Sequence, residues 1–168
     1  MAFGLLLIRL AFGLALAAHG AQKLFGVLGG FGIAGTGGFF ETLGFRPGKP
    51  FATLAGAGEL GGGLAFAFGF LTPFAASVLM ASMLVAAFGV HLEKGFFAQH
   101  GGYELPLLVA AAATGIAFTG PGALSLDAAF GLDLSGGRWG GLAVLLGMLG
   151  AIPPLALREG ERTRVSAS

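Results

Sequence analysis

The sequence predicts an all-α integral membrane protein: a four-helix transmembrane bundle followed by a fifth hydrophobic helix near the C-terminus. Of the 168 residues, 55% are hydrophobic and only 10% are charged, whereas about a quarter are charged in a typical soluble domain. Five stretches also approach the length of about 20 apolar residues that a spanning helix requires. They are residues 3–25, 51–71, 74–90, 105–119 and 139–157.

Proline and glycine residues mark the boundaries of these helices. Thr72 and Pro73 separate the second and third stretches, which predicts an antiparallel hairpin, because proline favours the first turn of a helix. Pro106 begins the fourth helix and the Gly-Pro-Gly sequence at 120–122 ends it. Consecutive prolines at 153–154 interrupt the end of the fifth stretch.

The same boundaries divide the chain into three parts. We expect a four-helix membrane domain at 1–128, a linker with an extra transmembrane helix at 129–157, and a basic tail at 158–168. The first eight residues contain no Lys or Arg, and Arg9 lies inside the apolar run. These features differ from a secretory signal peptide, so we expect the N-terminal helix to be retained.

Alternate connections between the helices fall on opposite sides of the membrane. Face B comprises residues 19–50, residues 91–104 and the tail; face A comprises the N-terminus, the Thr72–Pro73 turn and residues 120–138. Face B carries Lys23, Arg46, Lys49, Lys94, Arg158, Arg162 and Arg164, against Arg138 alone on face A. The positive-inside rule therefore predicts that face B is cytoplasmic. If residues 139–157 do not cross the membrane, the three arginines of the tail lie on face A instead of face B.

Two charged residues fall inside predicted spans. A charge at that depth costs at least about 2.5–3.5 kcal/mol unless it is paired or hydrated. Arg9 is ten residues from His19 and Glu59 is eight from Phe51, which places them roughly 15 and 12 Å below face B. We therefore predict a buried Arg9–Glu59 ion pair, either structural or active in proton transfer or ligand orientation.

Glycines surround Glu59 at helical spacing. Gly56, Gly62 and Gly63 stand at i−3, i+3 and i+4 from it, and such a face lets another helix approach closely. We therefore expect close helix packing here, within one protomer or between copies.

Polar residues concentrate on face B. In the stretch HGAQKLFG, His19, Gln22 and Lys23 project from one side of a helix end. Other face-B connections contribute Glu41, His91, His100, Tyr103 and Glu104. Taken one at a time, these residues have structural explanations: Lys23 can extend its ammonium group to the membrane surface, and Tyr103 can anchor a helix at the interface. Together they predict a polar pocket, whereas Asp127, Asp133 and Arg138 on face A resemble an ordinary solvated loop.

Several classes of function are disfavoured. The chain has no cysteine, which excludes thiol redox chemistry and disulfides within it. The net charge of +1 gives no electrostatic reason to expect nucleic acid as a partner. The histidines and glutamates form no ligand pair at helical spacing, so no metal site is predicted. The glycine-rich connections 28–44 and 94–104 contain no phosphate-binding motif, and we expect them at the membrane interface or dipping into the bundle.

Five blocks of sequence carry a family resemblance. They are HGAQKLFG, GTGGFFETLGF, LAGAGELGGGLAFAFGFLTP, VHLEKGFFAQHGGYELPLL and TGPGALSLDA. Between Leu5 and Ala128 they resemble, in order, the DoxX family of small integral membrane proteins. That resemblance implies a four-helix bundle and raises the prospect of quinone chemistry, because the family is named after a subunit of a thiosulfate:quinone oxidoreductase. Distant relatives act as chaperones or cargo receptors.

The resemblance and the pocket together lead to two functional predictions. The first is a quinone-linked oxidoreductase, or its membrane subunit, in the bacterial plasma membrane, with quinone as the cofactor and a redox protein as partner. Phe39, Phe40, Phe96 and Phe97 would line a quinone slot; His19, Gln22, Lys23, His91 and Tyr103 would face the quinone; and Glu41, Glu59 and Glu104, with Arg9 orienting Glu59, would carry protons. The alternative is a non-catalytic scaffold or accessory subunit, and transport of a small molecule is a third hypothesis.

Overall fold

The computed structural model describes residues 1–159 and is built from α-helices. The elements are α1 (Ala2–Phe25), α2 (Gly32–Thr42), α3 (Gly48–Phe68), α4 (Thr72–Ala86), α5 (Glu104–Thr119), α6 (Leu126–Ala129) and α7 (Gly137–Ala156). A π-helical turn, Ala87–His91, and a 3-10 turn, Leu92–Lys94, extend α4 towards face B. Most of the predicted basic tail lies outside the described residues.

Four segments of the described chain are long and apolar enough to cross a membrane. They are Ala2–Phe25, Gly48–Phe68, Thr72–Lys94 and Gly137–Ala156. The fourth predicted stretch, 105–119, forms α5, which is apolar but has only 16 residues. Large hydrophobic side chains such as Phe3, Leu54 and Leu149 are exposed, as expected of helices that face lipid. The predicted multi-pass helical membrane fold is confirmed.

Glycines bring α1 and α3 into close contact. A Cβ atom added to Gly13 would lie 2.6 Å from the carbonyl oxygen of Gly63, and one added to Gly20 would lie 2.6 Å from that of Gly56. No side chain fits at either crossing, so the two backbones approach directly. Of the glycines predicted to form a packing face around Glu59, Gly56 and Gly63 receive α1, whereas Gly62 faces Val78 of α4.

The core lies where α1, α3, α4, α5 and α7 meet. Leu16, Phe66, Leu79 and Ile116 are among its fully or almost fully buried side chains. Small residues also bring α7 against its neighbours: Gly147 packs on Met80 of α4, and Gly140 packs on the Phe118 ring of α5. The fifth hydrophobic segment is therefore an integral part of the bundle.

The two ends of α7 lie at opposite faces. At face A, the Trp139 ring packs edge-on against the Phe74 ring, with centroids 6.1 Å apart. At face B, the Arg158 Nε donates to the Leu43 carbonyl at 2.7 Å, and the Glu159 amide donates to the Gly44 carbonyl at 2.8 Å. The helix thus crosses the whole bundle, which places Arg158 on face B as predicted.

Helix α2 was not expected from the sequence. Its residues include Gly32, Gly35, Gly37 and Gly38, and glycine has a low intrinsic helix propensity. Packing compensates, because Gly37 lies directly against the backbone of Gly48 and Lys49 at the start of α3. The segment 28–44 therefore forms a short helix beside α3 on face B.

Candidate functional site

An amphipathic cavity of about 630 Å³ lies towards face B. Its volume is within the range of small-molecule sites in proteins. Helix α4 forms the floor of the cavity, and α3 and α7 form its side walls. The aromatic end is formed by α2, by the connection between α2 and α3, and by the first turn of α3. The polar side chains on its lining are Lys23, Glu59, Ser82, His91 and Lys94.

An ion pair between α1 and α3 forms the inner polar wall of this cavity. Lys23 Nζ donates to Glu59 Oε2 at 2.5 Å. The Glu59 residue is only 7% exposed, so its charge requires a partner. Close packing of Lys23 beside Gly56, which leaves room for the lysine side chain, brings the ammonium group to the carboxylate.

Four phenylalanines form the aromatic end of the cavity. The rings of Phe39, Phe40, Phe45 and Phe51 pack in sequence, with centroids 6.3, 5.8 and 5.6 Å apart. All four line the cavity. The predicted slot residues Phe39 and Phe40 therefore lie in the same cavity as Lys23 and Glu59.

His91 ends the π-helical turn and also lines the cavity. Its Nδ1 lies 2.6 Å from the Gly101 carbonyl oxygen. A carbonyl can only accept, so Nδ1 carries the hydrogen and Nε2 is the acceptor in the neutral ring. Through this bond the loop 95–103 orients a histidine whose second nitrogen is available for other chemistry.

The first predicted polar cluster is divided by the structure. His19 Nδ1 lies 3.1 Å from Gln22 Oε1, and Gln22 Nε2 donates to the Leu28 carbonyl at 2.9 Å. These bonds secure the turn that follows α1. Of His19, Gln22 and Lys23, only Lys23 lines the cavity.

Glu41 and Glu104 bind backbone amides. Glu41 Oε1 accepts from the Gly48 amide at 2.9 Å, at the first residue of α3. Glu104 Oε2 accepts from the Ala98 amide at 2.9 Å, within the face-B loop. Each carboxylate thus stabilises a backbone turn, and neither lines the cavity.

The other aromatic residues predicted for the site, Phe96, Phe97 and Tyr103, form a separate group. The Phe96 ring packs edge-on against those of Phe97 and Tyr103, with centroids 5.3 and 5.5 Å away. Tyr103 lines a smaller, largely apolar cavity of about 270 Å³ between α4 and α5. His100 is exposed on the same loop. The structure does not bring these four residues to the Lys23–Glu59 pair.

The predicted Arg9–Glu59 pair is wrong. Arg9 is fully buried, but its Nη2 donates to the Leu124 carbonyl at face A and its guanidinium lies against Gly69. Gly69 is ten residues from Glu59, which is roughly 15 Å along α3. The depth estimate failed because α1 continues past His19 to Phe25 and α3 begins at Gly48, before Phe51.

The expectation of an ordinary solvated loop at face A is wrong for Asp127. This residue is 1% exposed, and its carboxylate accepts from the Leu71 amide at 2.7 Å and the Thr72 amide at 2.9 Å. The Thr72 hydroxyl donates to it at 2.6 Å. Asp127 therefore caps the N-terminus of α4. Because Asp127 and Thr72 are 55 residues apart in the sequence, residue spacing could not predict this contact.

Within the described part of the chain, no group of three or more His, Asp and Glu side chains could hold a metal ion. The polar groups on the cavity lining are a partly buried ammonium–carboxylate pair, an imidazole, a serine hydroxyl and an exposed lysine.

The membrane-spanning helices, with an amphipathic cavity between them, define a multi-pass helical membrane protein. The chain belongs to the DoxX family, whose profile matches residues 4–92. This match includes α1 to α4 and both residues of the Lys23–Glu59 pair, whereas α5 to α7 lie beyond it. The boundary predicted at residue 128 stays a prediction. No curated protein sequence and no solved structure matched the chain.

Proposed function

We propose that the chain binds a quinone in the face-B cavity and acts as the quinone-binding membrane subunit of a redox assembly in the bacterial plasma membrane. The observation that carries this proposal is the partly buried Lys23–Glu59 pair on the wall of a cavity lined mainly by aromatic and aliphatic side chains. A quinone needs this combination, because its ring is apolar and its two carbonyl oxygens accept hydrogen bonds.

Lys23 is the carbonyl donor in this proposal. Its ammonium group has three hydrogens, and one is directed to Glu59, so others are available to a quinone oxygen. The rings of Phe40 and Phe51 line the same cavity and would provide aromatic surfaces for the quinone ring to stack against.

Glu59 and His91 are the proton-transfer groups. Reducing a quinone to a quinol takes two electrons and two protons. Once each has taken up a proton from water at face B, a Glu59 carboxylic acid and a His91 imidazolium on the lining of one cavity can each deliver that proton, and Lys23 stabilises the Glu59 carboxylate that results. We assign the electrons to a reduced centre in a partner protein, because this chain has no cysteine for thiol or iron–sulfur chemistry.

The proposal is tested by purifying the full chain in mild detergent and quantifying the quinone that co-purifies. We expect bound quinone in the wild type, an about tenfold lower affinity in Lys23→Met after loss of one charge-assisted hydrogen bond, and no change in Lys49→Met. Lys49 is the matched control because it is an exposed face-B lysine that does not line the cavity.

Two results would overturn the proposal. One is a wild-type protein that neither retains nor rebinds quinone. The other is equal quinone affinity in Lys23→Met and Lys49→Met. A stoichiometric partner protein without bound quinone would instead support the scaffold alternative.

A further inference from the structure

The face-B cavity extends well beyond its polar wall. Along the floor, its lining runs from His91 back to Val78 on α4. These residues are thirteen positions apart, which corresponds to roughly 20 Å of helix. Charged and imidazole side chains lie at both ends: His91 and Lys94 at face B, and Glu59 at depth, because its neighbour Gly58 faces Val78. The cavity is therefore an elongated slot with the Lys23–Glu59 pair at its deep end and a largely apolar middle part that includes Leu54, Ala81 and Gly150.

The apolar part of the slot opens on the lipid-facing surface between α3 and α7. Leu54 of α3 lines the cavity and is 66% exposed, and Gly150 of α7 lines it and is also exposed. Leu54 is six residues from the face-B end of α3, and Gly150 is six from the face-B end of α7. Both lie roughly 9 Å below face B, within the hydrocarbon region of a bilayer.

Small residues keep this opening wide. Gly58 of α3, Ser82 of α4 and Gly150 of α7 all line the slot. A Cβ atom added to Gly58 would lie 3.6 Å from Val78 Cγ1, which is an ordinary contact. A branched side chain at this position would therefore project into space that the present sequence leaves unfilled.

We propose that the slot binds the hydrocarbon tail of a long-tailed quinone, which enters sideways from the bilayer between α3 and α7. This inference rests on the proposed function and specifies its ligand class. The head group lies at Lys23 and Glu59, and the tail runs along Val78 and Ala81 to leave the protein between Leu54 and Gly150. A water-soluble, tail-free quinone would leave the apolar part of the slot without a partner.

The test uses a quinone that carries a photoreactive diazirine at the far end of its tail. The full chain is reconstituted in lipid nanodiscs, illuminated, and mapped by mass spectrometry. We expect cross-links on α3 and α7 around Leu54 and Gly150, and we expect an excess of unlabelled long-tailed quinone to remove them. Gly58→Leu, which fills the slot, should lower these cross-links about tenfold.

Gly61→Leu is the matched control, because a Cβ atom at Gly61 of the same helix meets nothing within 4 Å and the residue does not line the slot. It should label like the wild type. Ser82→Leu, which fills the slot from α4, gives an independent second variant if Gly58→Leu fails to fold.

Three outcomes would overturn the inference. Competed cross-links confined to α5 or to the face-B loops would place the tail elsewhere and leave quinone binding intact. Cross-links displaced by phospholipid but not by quinone would make the slot a lipid site. The absence of both competed cross-links and co-purified quinone would overturn the inference and the proposed function together.

Discussion

The ammonium group of Lys23 on α1 lies 2.5 Å from the carboxylate of Glu59 on α3, and both side chains line the same cavity. The lysine side chain is 23% exposed and that of the glutamate is 9% exposed. The pair therefore combines two roles. It neutralises a carboxylate inside a membrane-spanning helix, and it places charged groups at the deep end of a cavity lined mainly by apolar side chains.

Removing one member of this pair should destabilise the protein. In Lys23→Met, Glu59 keeps its buried position and loses its cation, and we expect about 3 kcal/mol of lost unfolding free energy. Thermal or denaturant unfolding in detergent measures the change. Lys49→Met, on the exposed surface of face B, should stay within about 0.5 kcal/mol of the wild type. Equal stability of the two variants would show that the ion pair contributes nothing.

Double-mutant cycles can distinguish the observed Lys23–Glu59 pair from the Arg9–Glu59 pair that the sequence predicted. Lys23→Met and Glu59→Gln remove two partners in contact, so their effects on unfolding free energy should be coupled by about 1 kcal/mol or more. Arg9→Met and Glu59→Gln act at sites roughly 15 Å apart along the bundle and should add within about 0.5 kcal/mol. Strong coupling between Arg9 and Glu59 would contradict the register of α1 and α3.

The close crossing of α1 and α3 predicts that alanine substitution destabilises the protein at Gly13 but not at Gly61. In Gly13→Ala, the new methyl group would lie 2.6 Å from the Gly63 carbonyl oxygen, so the helices must separate, at a cost of about 1–3 kcal/mol. Gly61→Ala adds a methyl group in open space and should be neutral or slightly stabilising, because alanine favours the helix. Unfolding in detergent compares the two variants, and a harmless Gly13→Ala would refute direct backbone packing.

Asp127 should be far more important for stability than its position in the short helix α6 suggests. Asp127→Ala removes the acceptor for two backbone amides and the Thr72 hydroxyl at the buried start of α4, and we expect a loss of about 2–4 kcal/mol. Asp133→Ala is the matched control, since Asp133 is exposed and accepts from the nearby Ser135 hydroxyl. Similar unfolding midpoints for both variants would argue against the cap.

The two faces can be distinguished by thiol labelling, because the chain has no cysteine of its own. Single substitutions His100→Cys and Glu159→Cys should react with a membrane-impermeant reagent from the same side, and Asp133→Cys from the opposite side. The positive-inside rule predicts that positions 100 and 159 are cytoplasmic. Labelling of positions 133 and 159 from one side would show that α7 does not cross the bilayer.

The helices could be predicted from sequence because their signals are local. A run of apolar residues has to form helix to satisfy its backbone in a membrane, and Pro73 and Pro106 mark the helix starts. Helix α2 was missed for the opposite reason. Its glycines weaken the local signal, and contact of Gly37 with the start of α3 compensates through packing.

Only some of the residues that line the cavity could be predicted from the sequence. Alternation of connections places Lys23, His91, Phe39 and Phe40 on one face, and the structure brings them into one cavity. Two residues on the same membrane face can still lie far apart across that face, and the sequence does not show this distance. In the structure, Tyr103 and Phe96 belong to a separate group beside α5. Pro154 and Gly150 of α7 line the cavity but carried no functional signal.

By itself, the sequence determined that this chain is a multi-pass helical membrane protein with polar residues gathered on one face. Hydrophobic length and charge depend only on neighbouring residues, so no tertiary contact was needed to recognise them. The tertiary structure decided that Glu59 pairs with Lys23 and not with Arg9, and that Asp127 caps α4. Ion pairing depends on the axial register of α1 and α3, which the close approach of Gly13 to Gly63 sets and which counting residues from a helix end does not reveal.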